Sequence, residues 1–224
     1  MNESLRSILI TDLPARFVSE LIGASRWAYR DSYEAVYSDN NYDEPEKKGL
    51  LPYVRRARIE KKIREVALDA GLTATVEKNS AKNTEYTLIK SGRVALTVSK
   101  SFDRGSLPAL ARFREQYSSI NQHAAQIQML PVLSMPFEAS LYGVIIHGSS
   151  NLSHNELGFL QIGFLDSRKY RWVEAPIDLE DIMDAQSLSS QQKDPLIQLQ
   201  EKNRQPRLKE KYIATDEIIK KVTL

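Results

Sequence analysis

The fold is decided between Leu50 and Ser101, LLPYVRRARIEKKIREVALDAGLTATVEKNSAKNTEYTLIKSGRVALTVSKS (residues 50–101). Ile59, Ile63, Val66, Ala67 and Ala70 recur there at helical spacing, which predicts a helix over 52–70 with one apolar face. Gly71 stands where a helix ends on a left-handed residue. Thr73, Thr75 and Val76 then favour a strand, and NSAKNT (residues 79–84) reads as a polar loop. Tyr86 and Leu88 alternate with Thr87 and Ile89, and Val94, Leu96 and Val98 alternate with Ala95 and Thr97. A two-residue Ser91–Gly92 connection between two such runs predicts a hairpin. Three strands are therefore expected within 72–99.

The same stretch concentrates positive charge. From Asp31 to Glu46 there are six acidic residues and no basic one, whereas Lys47 to Glu65 holds eight basic residues against two acidic. Glu60 precedes Arg64 by four and Lys61 precedes Glu65 by four, so both basic residues have a local partner on a helix. Arg55, Arg56, Arg58 and Lys62 have none, and they are the candidate nucleic-acid contacts. Guanidinium groups present planar paired donors to phosphate or guanine. The acidic run is a competing internal partner for the same side chains.

Working outward, residues 12–37 are predicted helical, with Asp12 as N-cap and Pro14 in the first turn. Phe17, Leu21, Ala24 and Ala28 form its apolar face, and Trp27, Tyr29, Tyr33 and Tyr37 read as core aromatics. SDNN at 38–41 and DEP at 43–45 read as a loop. On the C-terminal side, Ser106 caps a long helix reaching 129, with an apolar stripe of Leu110, Phe113, Tyr117, Ile120, Ala124 and Ile127. Arg112, Arg114 and Glu115 fall on its solvent side. Strands are expected at 141–147, 159–166 and 170–174, then a short helix over 179–185 capped by Asp178. Residues 186–224 form a polar arm with a short terminal helix capped by Asp216, a surface for a protein partner or self-association.

The fold class that follows is α+β. It comprises N-terminal helices, a mostly antiparallel sheet of about six strands and one long amphipathic helix packed on it, in one domain over 1–185. The 224 residues, 42% of them hydrophobic, suffice for a core without metal or disulfides. The lack of cysteine removes thiol catalysis, Cys-ligated zinc and iron–sulfur clusters. No signal peptide and no stretch of membrane-spanning length is present, so a cytoplasmic location without membrane contact is expected.

Catalytic patterns are sparse. There is no Walker A sequence, dinucleotide-binding glycine pattern or GxSxG, and no cofactor is expected. His123, His147 and His154 lack zinc-ligand spacing. VIIHGSS (residues 144–150) superficially resembles the strand-to-Gly-Ser element of nucleotidyltransferases, but the strand after it lacks the acidic pair that holds Mg²⁺. Helix, three strands and helix over 52–128 match the general layout of restriction-endonuclease-type nucleases. There, Glu65, Glu77, Glu85 and Asp103 with Lys90 or Lys100 make at most a degenerate Mg²⁺ site. The leading expectation is a non-enzymatic binding or regulatory protein that contacts nucleic acid through residues 55–64. The alternatives are that nuclease and a protein-interaction module acting through the arm.

Overall fold

A computed structural model describes residues 4–79, 81–124, 141–150, 154–166, 168 and 170–192. Three helices precede the sheet: α1 (Leu5–Asp12), α2 (Ala15–Tyr37) and α3 (Glu44–Asp69). The strands are β1 (Thr73–Lys78), β2 (Glu85–Ser91) and β3 (Val94–Lys100). After α4 (Arg112–Ala124) come β4 (Leu141–Ser149), β5 (Leu157–Asp166), β6 (Arg171–Trp172), β7 (Ile177–Asp178) and α5 (Leu179–Gln192). The chain divides into two units, Met1–Asp184 and Ala185–Leu224. The sheet and the cleft described below belong to the first.

The expected α+β class is what the structure shows. The sheet runs β1-β2-β3-β4-β5-β6, with β7 also paired to β5. Every pairing is antiparallel except β3 with β4. That parallel step needs a crossover, and α4 lies in it. One face of the sheet, with Ile89, Leu96, Val98 and Ile145, packs on Phe17, Leu21, Ile59 and Ile63 of α2 and α3. The other face, with Leu88, Ala95, Tyr142 and Val144, packs on Phe113 of α4.

The end of α3 follows the sequence reading. Gly71 has φ +79°, its N–H donates to the Leu68 carbonyl at 3.0 Å, and Leu72 N–H donates to the Ala67 carbonyl at 2.9 Å. That pair of bonds satisfies carbonyls the helix leaves open.

Several boundaries differ from expectation, each for a physical reason. Asp12 ends α1 instead of capping α2. Its carboxylate accepts from the Arg93 backbone N–H at 2.8 Å and from the Arg93 guanidinium at 2.9 Å. α3 begins at Glu44, eight residues before Pro52, with Pro45 and two acidic residues in its first turn, and Pro52 lies inside it. DEP at 43–45 is thus a helix start, because acidic residues and an early proline suit the positive end of a helix. The hairpin turn is Gly92–Arg93 instead of Ser91–Gly92, since Ser91 still pairs with Val94.

α4 starts at Arg112, not Ser106. The Ser106 hydroxyl instead bonds Ser101 at 2.6 Å and Asp103 N–H at 3.1 Å within a loop. α5 runs to Gln192, past the expected end. The expected helix end at 125–129, the arm from 193 and the helix capped by Asp216 lie outside the described residues.

Candidate functional site

Leu51, Arg55, Ile59, Ile63 and Ala67 are spaced four apart on α3 and all are buried. Arg55 therefore sits on the line that carries the apolar face. Its guanidinium lies 4.3 Å from the Tyr29 ring centre, a cation–π contact, and donates to the His154 carbonyl. Its Nε has no hydrogen-bond partner among the described residues. Tyr29 in turn bonds His147 Nδ1 at 2.8 Å. His147 is buried on β4 beside Arg55 and Lys100. Burial and those two cations depress its pKa to about 3, so the imidazole is neutral at physiological pH.

A cleft of about 680 Å³ opens beside these residues. Its origin lies in strand register. β2 pairs with β1 from Glu85 to Lys90, but with β3 only from Leu88 to Ser91. β3 pairs with β2 from Val94 to Thr97, while Val98–Lys100 continue alongside β4 alone. The two strands thus part at one end. Thr84 and Tyr86 line one side of the opening, and Val98, Ser99 and Lys100 the other. Residues 52–60 of α3 and residues 109–114 complete the walls.

The walls are cationic. Arg55, Arg56, Lys100, Arg112 and Arg114 line the cleft against one carboxylate, Glu60, among the described residues. Arg56 bonds Glu60 at 2.9 Å and the Glu85 carbonyl at 2.9 Å. Arg114 is 9% exposed, donates to the Ala109 carbonyl at 2.7 Å, and its Nε has no partner among the described residues. Burial lowers the pKa of both Arg55 and Arg114, a sign that their charge is poorly compensated. Tyr86 and Phe113 stack at 3.9 Å on the inner wall, and Tyr53, 75% exposed, stands at the mouth.

The four basic residues singled out in the sequence are not gathered in one place. Arg55 and Arg56 line the cleft. Arg58 is held by the Asp31 carboxylate and carbonyl, so the acidic run does claim it. Lys62 bonds Glu65 at 2.7 Å and lies 4.9 Å from the Trp27 ring centre. Of the expected surface pairs, Lys61–Glu65 is present at 3.8 Å, while Glu60 bonds Arg56 instead of Arg64.

Sequence reasoning assigned Arg112 and Arg114 to a solvent face. Arg112 is exposed, but Arg114 is buried. The signal for it was a second stripe: Arg114, Ser118 and Asn121 fall at helical spacing, and all three are buried.

Glu65, Glu77, Glu85 and Asp103 do not line the cleft, although Lys100 does. Glu77 accepts from Thr75 at 2.9 Å, and Glu85 pairs with Lys78 at 3.7 Å. Among the described residues no group of three or more His, Asp or Glu is able to hold a metal ion, and no helix is long and apolar enough to cross a membrane. Comparison with known protein families, curated proteins and solved structures returns no match.

Proposed function

We propose that this protein binds nucleic acid in the cleft between α3 and the parted ends of β2 and β3, without using the outer surface of α3. One observation carries the reading: among the described residues, five basic side chains line the cavity against a single carboxylate. A volume of about 680 Å³ is of the size that holds a small ligand or one or two nucleotides of a strand. Arg56, Lys100 and Arg112 supply phosphate contacts, and the exposed Tyr53 ring offers a base a stacking surface. Arg58 and Lys62 do not line the cleft and contribute little.

The test is binding of the purified chain to labelled single- and double-stranded oligonucleotides. Arg56→Ala and Arg112→Ala together should weaken binding at least about tenfold, since each removes a charge-assisted contact. Arg58→Ala with Lys62→Ala should leave it within about twofold. The reverse order of effects would overturn the placement, and absence of binding to every oligonucleotide would overturn the function.

A Mg²⁺-dependent nuclease is the second reading, favoured by Lys100 at the parting of β2 and β3. The donor set there does not fit the metal, because Glu60 is the one carboxylate lining the cleft among the described residues and it is bonded to Arg56. Incubation with plasmid and RNA in Mg²⁺ and in EDTA separates the readings: EDTA-sensitive cleavage, lost in Lys100→Ala, would replace binding with catalysis.

A further inference from the structure

Arg55, Lys100 and His147 come from α3, β3 and β4 and meet at the cleft. Lys100 and His147 are paired in register across the parallel strands, and the charges of Arg55 and Lys100 both act on the His147 ring. Arg55 is 5% exposed, yet among the described residues no carboxylate pairs with it. Its contacts are a backbone carbonyl and the face of Tyr29, and its Nε is unpartnered among the described residues. A buried guanidinium left in that condition is costly unless an anion completes it. His147, neutral and fixed through Nδ1 by Tyr29, adds no charge. In the tautomer that accepts the Tyr29 proton, its Nε2–H is a donor.

We propose that Arg55, Lys100 and His147 form a subsite for a phosphomonoester dianion. This deepens the nucleic-acid reading and rests on it for the source of the phosphate. The charge count makes the choice. Two cations with no carboxylate partner among the described residues are neutralised by a dianion, whereas an internal phosphodiester brings one negative charge and leaves one cation unmatched. The natural sources are the terminal phosphate of a strand and the phosphate of a mononucleotide.

The experiment compares one labelled single strand in 5′-phosphate, 3′-phosphate and hydroxyl-ended forms by fluorescence anisotropy on the full chain, with AMP and inorganic phosphate titrated calorimetrically. One phosphorylated form should bind at least about tenfold tighter than the hydroxyl-ended strand, the scale of one added charge-assisted contact. Lys100→Met and Arg55→Met should abolish that preference. Lys100 is exposed, so its variant should fold, and a thermal melt of Arg55→Met not below wild type would show that the buried charge serves the ligand and not the fold.

If all three strands bind equally, the subsite is wrong and the nucleic-acid reading survives. AMP or phosphate binding that depends on Lys100, without strand binding, would keep the subsite, with a mononucleotide as its ligand, and discard nucleic acid. If nothing binds, both are overturned.

Discussion

Asp12 shows how one side chain ties together distant parts of the chain. Its carboxylate holds Arg93 through the backbone N–H and the guanidinium, and its carbonyl accepts from the Ser91 hydroxyl, so α1 clamps the β2–β3 turn. Gly92 fits between them with φ +51°, and a Cβ there would sit 2.9 Å from the Asp12 carboxylate. Gly92→Ala should therefore cost about 1–3 kcal/mol, from backbone strain and crowding, measured by urea unfolding.

The Asp12 pKa is lowered, first by its side-chain hydrogen bond from Arg93. A carboxyl depressed in the folded state stabilises fully above its unfolded value, about 3.9, and that contribution is lost as pH falls through the folded value. Wild type should thus exceed Asp12→Asn in stability at pH 7, with the gap closing as the pH is lowered below about 3.9. A gap unchanged at pH 3 would show that the pair does not act through charge.

At the scale of elements, one amide of α4 makes three hydrogen bonds to the sheet. Asn121 donates to the Tyr142 carbonyl at 2.7 Å and the Leu165 carbonyl at 2.9 Å, and accepts from Tyr142 N–H at 2.8 Å. All these groups are buried, so losing the donors leaves carbonyls unsatisfied in the interior. Asn121→Asp, nearly identical in shape, should destabilise by about 3 kcal/mol or more, because a carboxylate has no proton to give and its charge is buried. Near-normal stability of this variant would show that the network is dispensable. The same helix places Phe113 against Tyr86 and Arg114 in the cleft wall, so loosening α4 should also weaken ligand binding.

At the scale of the molecule, the net charge of +2 hides a strong local field. The acidic run before α3 is partly spent on Arg58 and on the first turn of α3, while the cleft keeps its excess of cations. If three or four of those cations contact phosphates of a single strand, the logarithm of affinity should fall against the logarithm of salt with a slope of about −2 to −3. A slope near zero would show that the cleft does not engage the backbone. Arg56→Ala should flatten the slope by about 0.7, the share of one contact.

Most of the elements were legible in the sequence because they depend on local periodicity; α1 and β7 were not. The Ile59–Ala67 face, the Gly71 stop and the alternation of β2 and β3 each need only neighbours a few residues away. So was the density of charge in α3, and even the burial of Arg55 was implicit in its spacing four before Ile59, although charge argued for the surface. The cleft was not legible. It exists because β2 and β3 part after Thr97, because β4 adds in parallel to bring His147 beside Lys100, and because Arg114 packs inward from α4. Residues 55, 100, 114 and 147 have no short-range pattern in common. Local pattern specified the α+β class and most of its elements, but not α1, β7 or the start of α3. Tertiary structure decided which cations are paired within the protein and which line the cleft, since that depends on strand register and helix packing between residues far apart in the chain.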